Sequence, residues 1–213
     1  MTKLLLVRHG ESTANRRDVF AGQINPELEE KGISQAKITA NYIASNFNVD
    51  KIYSSDLKRA YHTALSLSEI LNIKVIEDKN LREIDGGIWE GAGYSDLKSL
   101  YPLEFQIWIS DTGNSYCPGG ETVKQLTKRI MNALTKIAED NDGKTIAVYT
   151  HATPIRVAQT VIETGTLDEM KNIDWVSNAS VTILNYNNGI WKIDAVSIDE
   201  HLKELKTSLG EIV

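Results

Sequence analysis

The ten residues Lys3–Ser12 (KLLLVRHGES) place the strongest constraint on how this chain folds. An apolar run, Leu4–Val7, leads directly into Arg8, His9 and Gly10, which is typical of a buried strand that ends in a loop. Arginine and histidine are costly to bury without anionic partners. We therefore expect both side chains at the open end of a sheet, facing a ligand, where Gly10 permits a close approach of the backbone. The alternative is a strand end whose cations pair with surface carboxylates.

Charge and composition limit the classes of partner. The 213 residues are 41% hydrophobic and 24% charged, as in an ordinary globular protein with one core. A net charge of −6 argues against a nucleic-acid or anionic-membrane partner. The single cysteine, Cys117, fits a reducing compartment, and the run Leu4–Val7 is too short for a signal peptide or a membrane span. We expect one cytoplasmic domain comprising residues 1–213.

The first half of the chain alternates between helical and strand periodicities. Apolar side chains recur at steps of three and four in residues 33–47 and 60–71, which predicts two amphipathic helices, the second capped by Ser55-Asp56. Short apolar strands are predicted at 49–54 and 74–76. Strand, helix, strand, helix, strand is the order of an α/β domain with a largely parallel sheet.

The second half adds a helix, a strand and a hairpin. Residues 126–137 predict a third amphipathic helix, and residues 144–150 predict an apolar strand that ends at His151. Alternating apolar residues around Asn188-Gly189 predict a β-hairpin. Three aromatic residues at helical spacing, which we interpret as core rather than as substrate contacts, are Tyr101, Phe105 and Trp108.

Several predicted strand ends and helix starts bring cationic or donor groups to one place. In open α/β sheets, ligands bind beyond the carboxyl ends of the strands, and a helix N-terminus offers free N–H groups to an anion. The groups expected there are Arg8, His9, Arg59, His151 and the start of a helix at Ala152. Asn15 and Ser12, in the loop after the first strand, can add hydrogen bonds. Arginines beside a helix start describe a phosphate pocket.

These motifs resemble, in the same order, those of the histidine phosphatase superfamily, also known as the phosphoglycerate-mutase-like family. The matching segments are Arg8-His9-Gly10, residues 54–60 (SSDLKRA), Leu81-Arg82-Glu83, residues 118–121 (PGGE) and Thr150-His151. The resemblance extends from Lys3 to about Ala195. It implies the fold of that family, a three-layer α/β/α sandwich with a mostly parallel central sheet.

The resemblance also implies a role for each matching residue. His9 matches the family's nucleophile, Glu83 its acidic proton donor, and His151 its second histidine. The phosphate-binding residues expected on this basis are Arg8, Asn15, Arg59, His151 and Ala152. The expected partner is a small phosphorylated metabolite, and neither a cofactor nor a metal is expected.

The residue types fit a phosphohistidine mechanism. A neutral His9 has a ring-nitrogen lone pair that can attack phosphorus, and the charges of Arg8 and Arg59 lower its pKa. A dianionic ligand raises the pKa of Glu83, which can then protonate the leaving alkoxide. The arginines, and His151 when protonated, stabilise charge on the transferring phosphoryl group. Water then clears the phosphohistidine.

Other phosphatase chemistries fit the sequence less well. A cysteine phosphatase requires an arginine six residues after its cysteine, and here Cys117 is followed at that distance by Val123. A metallohydrolase is conceivable, but its ligands would stand beside arginines that repel a cation. The ligand set for such a site would be His9, Asp56, Glu83 and His151.

The sequence is compatible with three functions. Residues 81–91 (LREIDGGIWEG) resemble the phosphatase branch of the family, which favours a phosphomonoesterase. A cofactor-dependent phosphoglycerate mutase must exclude water from its phosphohistidine. The short chain after His201, which we interpret as a solvated residue of a polar helix, is poorly equipped for that. A non-catalytic module that binds phosphorylated ligands is the third alternative, and it has no need of Glu83.

The sequence leaves the substrate and the oligomeric state open, a homodimer included. Candidate substrates are sugar phosphates, phosphoglycerates and a nucleotide-like ester such as α-ribazole phosphate. We expect specificity to depend on residues 92–117.

Overall fold

A six-stranded, mostly parallel sheet forms the centre of the molecule. The computed structural model describes residues 1–207. The strands are β1 (Thr2–Arg8), β2 (Lys51–Ser54), β3 (Val75–Glu77), β4 (Thr145–Thr150), β5 (Val181–Asn187) and β6 (Ile190–Ile198). Their order across the sheet is β3-β2-β4-β1-β5-β6. The first four in this order are parallel, and β5 and β6 add an antiparallel hairpin.

Seven α-helices and five short 3-10 helices connect the strands within residues 1–207. The α-helices are α1 (Thr13–Arg16), α2 (Glu30–Asn46), α3 (Lys58–Leu71), α4 (Tyr94–Leu100), α5 (Pro102–Ser110), α6 (Val123–Glu139) and α7 (Ala152–Thr164). The 3-10 helices are Lys79–Leu81, Gly87–Trp89, Thr112–Asn114, Met170–Asn172 and Glu200–Leu205. No helix in the described part of the chain has the length and apolar character needed to cross a membrane.

Helices cover both faces of the sheet, which confirms the predicted three-layer α/β/α sandwich. Along β1, Leu4 and Leu6 pack with residues of α6 and α7, whereas Leu5 and Val7 pack with residues of α2 and α3. All four side chains are buried, and each contributes roughly 1.5–3 kcal/mol to the stability of the fold. Because both faces are covered, β1 is a continuous apolar run rather than an alternating one.

Three central strands end side by side. Arg8 of β1 is in register with Thr150 of β4, and Ser54 of β2 is in register with Tyr149 of β4. The residues that follow β1, β2 and β4 therefore enter the same edge of the sheet. This is the edge at which the sequence predicts a ligand.

The predicted cap of α3 is wrong. The helix begins at Lys58 after Leu57, which makes no side-chain capping bond. Asp56 instead forms an ion pair with Arg82, and the Ser55 hydroxyl contacts a histidine described below. Both side chains are engaged by distant partners, and the Lys58 N–H at the start of the helix donates instead to Oδ1 of Asn25 at 3.0 Å.

The prediction of a solvated His201 is also wrong. Its ring stacks on Tyr42 with centroids 4.4 Å apart, and its Nε2 lies 2.9 Å from Oγ1 of Thr39. The aromatic core prediction is confirmed for Phe105 and Trp108, which are buried.

Candidate active site

The loop after β1 is held from two sides. The His9 backbone N–H donates to the carbonyl of Thr150 at 3.1 Å, and the Gly10 N–H donates to Oγ1 of Thr63 at 3.0 Å. A Cβ on Gly10 would lie 2.4 Å from the carbonyl oxygen of Gly32, so only glycine fits at this close approach. The position of His9 is therefore set by hydrogen bonds from its own backbone N–H and from that of Gly10.

Hydrogen bonds define the state of the His9 ring. Nδ1 lies 2.7 Å from the carbonyl oxygen of Gly10, and because a carbonyl only accepts, Nδ1 carries the proton. Nε2 accepts a hydrogen bond from Nε of Arg59 at 3.2 Å. Burial, and then the charges of Arg59 and Arg8, hold the pKa of His9 well below its usual range. The ring is neutral, with its lone pair on Nε2.

Arg59 joins α3 to the loop that follows α1. It is 1% exposed, and its terminal nitrogens donate to the carbonyls of Gly22 and Ile24, each at 2.8 Å. Burial lowers its pKa to about 10, so it stays charged at neutral pH. Its cationic end is thus fixed beside Nε2 of His9.

Arg8 provides a second buried cation. One terminal nitrogen donates to the carbonyl of Val176, and burial lowers the pKa of the guanidinium to about 10. Its Nε is buried and has no hydrogen-bond partner within residues 1–207. A buried donor without an acceptor costs about 1–3 kcal/mol, and an anion in this place would remove that cost.

His151 lies against His9, with ring centroids 5.2 Å apart. Its Nε2 is 2.9 Å from Oγ of Ser55, and that Oγ already accepts a hydrogen bond from the Leu57 N–H at 3.3 Å. The hydroxyl keeps a proton that it can donate to Nε2, and with that donation the ring proton is on Nδ1. This Nδ1 is buried and has no partner within the described residues. Burial, followed by the charge of Arg59, lowers the pKa of His151 well below its usual range, so the ring is neutral in the free protein.

Glu83 is held by backbone donors on two segments. One carboxylate oxygen accepts from the Ile84 N–H at 2.8 Å, and the other from the Thr153 N–H at 3.3 Å. Burial raises the pKa of Glu83, and this effect outweighs the lowering by these hydrogen bonds and by Arg59. Burial therefore favours the protonated form of this carboxyl group relative to that of a solvated glutamate.

Arg129 of α6 ties down the segment that carries Glu83. It forms a two-pronged ion pair with Glu121, at 2.9 and 2.7 Å. The same guanidinium donates to the carbonyls of Asn80, Arg82 and Glu83 at 2.8, 2.9 and 3.1 Å. The segment 118–121, which had only a family resemblance in the sequence, thus supports Glu83 from behind.

Asparagine side chains order the loop after β1. Ser12 and Asn15 form a reciprocal cap at the start of α1. The Asn15 carbonyl oxygen also accepts from Nδ2 of Asn178 at 3.3 Å, and that Nδ2 donates to the His9 carbonyl at 3.0 Å. Asn178 is a site residue that sequence reasoning misses, because its only local signal is a glycosylation-like Asn-Ala-Ser triplet.

These groups surround a cleft of about 130 Å³. Its lining includes six of the predicted site residues: Arg8, His9, Asn15, Arg59, Glu83 and Ala152. His151 is fully buried beside His9 and is not among the cleft-lining residues. With two buried cations, the N-terminus of α7 and the unpaired Nε of Arg8 at its lining, the cleft is suited to an anion.

Two residues that the alternative phosphatase chemistries would use, Asp56 and Cys117, are in other environments. Asp56 forms a two-pronged pair with Arg82, and Cys117 is buried, which raises the pKa of its thiol. Within residues 1–207 no three His, Cys, Asp or Glu side chains are grouped to hold a metal ion. Metal independence stays a prediction.

Comparison with known proteins identifies relatives along most of the chain. A model of the histidine phosphatase superfamily (branch 1) matches residues 4–199. Phosphoserine phosphatase 1 of Hydrogenobacter thermophilus is 36% identical over 156 residues, which cover 73% of this chain and 74% of the relative. The metal-independent phosphoserine phosphatase of Arabidopsis thaliana is 32% identical over 207 residues, covering 96% and 85% of the two chains.

Solved structures share the fold. Bacillus stearothermophilus YhfR has a TM-score of 0.90 at 25% identity, covering 95% of this chain and 100% of that one. A phosphoserine phosphatase mutant from Entamoeba histolytica, solved in complex with phosphoserine, has a TM-score of 0.82 at 26% identity. That match covers 95% of this chain and 100% of the other.

Proposed function

The chain belongs to branch 1 of the histidine phosphatase superfamily and is a phosphatase, and from this premise we propose that it hydrolyses small phosphorylated metabolites through a phosphohistidine on His9. The observation that carries the proposal is the state of the His9 ring. Nδ1 donates to the Gly10 carbonyl, which leaves the lone pair on Nε2, 3.2 Å from Nε of Arg59. A neutral, oriented imidazole is the form that attacks phosphorus.

In the first half-reaction Nε2 of His9, which faces Nε of Arg59 in the free protein, attacks the phosphorus atom of the substrate. The N–P bond forms while the bond from phosphorus to the alcohol oxygen breaks. Glu83, whose pKa is raised by burial, gives its proton to the departing oxygen. An alkoxide leaves poorly without this proton, so the acid contributes directly to the barrier.

In the second half-reaction water attacks the phosphohistidine. The carboxylate of Glu83, now deprotonated, accepts a proton from the water as the new P–O bond forms. The N–P bond breaks, and inorganic phosphate leaves with His9 neutral again. One ester and one water are consumed, and one alcohol and one phosphate are released.

The remaining predicted residues stabilise the phosphoryl oxygens. Arg8 and Arg59 supply two buried charges, and Nε of Arg8 has no other partner within residues 1–207. Nδ1 of His151 supplies a neutral donor, Asn15 offers its amide, and Ala152 begins α7, whose N-terminus favours an anion. Donors fixed before the reaction stabilise developing charge without having to reorganise.

The test is to trap the covalent intermediate. The protein is mixed with 32P-labelled nitrophenyl phosphate and quenched within milliseconds, and the label is mapped by proteolysis. We expect an acid-labile, base-stable adduct on His9 that is absent from His9→Ala. The matched control is His62→Ala, since His62 is exposed on α3 and outside the cleft. Label on another residue, or label that persists in His9→Ala, would overturn the proposal.

A further inference from the structure

The loop that holds Arg59, residues 20–24, is bound in turn by a carboxylate outside the cleft. The guanidinium of Arg59 donates to the carbonyls of Gly22 and Ile24, each at 2.8 Å. Between these two carbonyls, the backbone N–H of Gln23 donates to Oε1 of Glu90 at 2.6 Å. Glu90 is not among the described residues that line the cleft. It can therefore act on a ligand only through the residues that it holds.

The same carboxylate oxygen accepts a second hydrogen bond. Oε1 of the half-buried Glu90 side chain also accepts from the backbone N–H of Gly86 at 3.0 Å. A Cβ on Gly22, whose φ is +48°, would lie 2.4 Å from Oε1, so glycine is needed for this close approach. One oxygen thus joins two loops that are distant in the chain, residues 20–24 and residues 86–90.

Few other hydrogen bonds hold the 20–24 loop in place. Phe20, at the start of the loop, makes two backbone hydrogen bonds of 2.9 Å with the segment after Glu90. Over residues 21–24 the hydrogen bonds to the rest of the described chain are those of Arg59, Glu90 and the Gln23 side chain. The bond to Glu90 is the shortest of them, as expected of a charged acceptor. Removing it would leave this part of the loop held by Arg59 itself and by the Gln23 side chain.

We propose that Glu90 is a positioning residue for Arg59, with no contact of its own to the substrate. By accepting the Gln23 N–H it fixes the two carbonyls that orient the guanidinium, whose Nε lies 3.2 Å from Nε2 of His9. Donors that are fixed in advance stabilise a developing phosphoryl charge without reorganising, and a donor that moves loses this advantage. The inference rests on the proposed function, in which Arg59 stabilises the phosphoryl group.

The link between Glu90 and Arg59 can be measured without a substrate. In the free protein the Nε–H of Arg59 is buried and donates to His9, so its NMR signal should exchange slowly with water. In Glu90→Ala the 20–24 loop gains freedom, and we expect this exchange to become about tenfold faster. The matched control is Asp85→Ala, which removes a carboxylate that accepts the Gly87 N–H within the neighbouring loop. It should leave the exchange unchanged.

Turnover tests whether the link matters for catalysis. Glu90→Ala should lower kcat/KM for nitrophenyl phosphate by about ten- to a hundredfold, the range for a slight misplacement of a catalytic group. A sugar phosphate should lose as much, because Arg59 acts on the phosphoryl group and not on the leaving group. In an Arg59→Met background, where the guanidinium is already missing, the same change should cost less than about twofold.

Glu90→Gln separates the hydrogen bonds from the charge. Its amide oxygen can still accept both N–H groups, and the pKa of Arg59, about 10, keeps the guanidinium charged at neutral pH. We therefore expect Glu90→Gln to retain most of the activity that Glu90→Ala loses, and to exchange the Arg59 Nε–H as slowly as the wild-type protein.

Four results would overturn the proposal. They are unchanged exchange of the Arg59 Nε–H in Glu90→Ala, a Glu90→Gln variant as impaired as Glu90→Ala, equal losses from Glu90→Ala with and without Arg59, and a loss confined to the sugar phosphate. The last would mean that the effect passes through Glu83. Faster exchange in Glu90→Ala, but no phosphohistidine on His9 in the wild-type protein, would leave the link intact and defeat the proposed function, and with it the catalytic role of Glu90.

Discussion

Oγ of Ser55 lies 2.9 Å from Nε2 of His151, and this contact couples the hydroxyl to the tautomer of the histidine ring. The hydroxyl oxygen accepts from the Leu57 N–H and keeps a proton that it can donate to Nε2. With that donation the ring proton is on Nδ1, which has no partner within residues 1–207. In the proposed mechanism Ser55 thus acts on the phosphate through His151 without touching it.

Replacing Ser55 by alanine should disturb this tautomer. Without the hydroxyl, Nε2 loses its donor and the ring proton distributes between both nitrogens. We expect inorganic phosphate to bind two- to tenfold more weakly, which corresponds to a loss of about 0.5–1.5 kcal/mol for one hydrogen bond. Nitrogen NMR of the His151 ring reports the tautomer and calorimetry the affinity. Ser55→Thr, which keeps a hydroxyl, is the control; an unchanged Nδ1–H tautomer in Ser55→Ala would contradict the assignment.

Replacing Glu83 by glutamine should affect esters according to their leaving group. A sugar alkoxide needs a proton, whereas a nitrophenolate leaves readily without one. We expect His9 phosphorylation by a sugar phosphate to slow by roughly a hundred- to ten-thousand-fold, and by nitrophenyl phosphate far less. Single-turnover formation of the phosphoenzyme is the measurement, because Glu83 also acts in the second half-reaction of the proposed mechanism. Equal losses for both esters would mean that Glu83 only shapes the cleft.

The ion pair between Arg129 and Glu121 should affect catalysis because it holds the Glu83 segment in position. Glu121→Gln removes the charge that holds Arg129, so the Glu83 segment gains freedom. We expect kcat for a sugar phosphate to fall about tenfold with a small change in KM, since a slight misplacement of the acid slows proton transfer. Nitrophenyl phosphate should be affected less. Lys128→Met, which removes an exposed cation next to Arg129 on α6, is the control. A uniform loss for both esters would indicate general destabilisation instead.

The rate of His9 phosphorylation should depend on pH through two groups, one of which must be protonated and the other deprotonated. Glu83 must be protonated, and its pKa is raised by burial, so the rate with an alkyl phosphate falls as pH rises through that value. His9 must be neutral, and burial lowers its pKa well below 6.5, so mildly acidic pH does not protonate it. We expect a profile highest on the acidic side of neutrality. With nitrophenyl phosphate the alkaline decline should be weaker; identical declines would exclude Glu83 as its source.

Stability should also respond to the buried histidines. The folded state keeps His9 and His151 neutral, with pKa values lowered from 6.5 chiefly by burial, while the unfolded chain binds protons below 6.5. Stability is therefore lost as pH falls below 6.5, by up to about 1.4 kcal/mol per pH unit for each histidine. Urea unfolding between pH 7.5 and 5.5 measures this slope. His151→Gln should make it shallower, and an unchanged slope would contradict the burial of a neutral His151.

Activity should survive exhaustive chelation. In the proposed site the phosphate charge is met by two buried arginines, and within the described residues no three potential metal ligands are grouped. Vanadate should inhibit, because it adopts the five-coordinate geometry of the phosphoryl transition state. Steady-state hydrolysis after dialysis against EDTA is the measurement. Loss of turnover that zinc or magnesium restores would replace this mechanism with a metallohydrolase.

The sequence by itself determined most of the sheet and its longer helices, and it predicted which groups gather at one edge of that sheet. The apolar run of β1 has to be a buried strand, because it has no polar face to show to water. Residues at periods of three and four have to be helices packed on the sheet. Arg8, His9 and Arg59 follow because cations next to such elements need an anion at the open edge of the sheet.

Only the tertiary structure decided which contacts orient those groups. The tautomer of His151 depends on Ser55, 96 residues away in the chain. The position of Glu83 depends on Arg129, 46 residues further on, and the solvated helix predicted for His201 gives way to stacking on Tyr42. Short-range periodicity cannot predict such contacts, because a hydrogen bond depends on which polar atoms packing brings within about 3 Å. Local sequence determines which atoms each residue offers; the fold decides which of them meet.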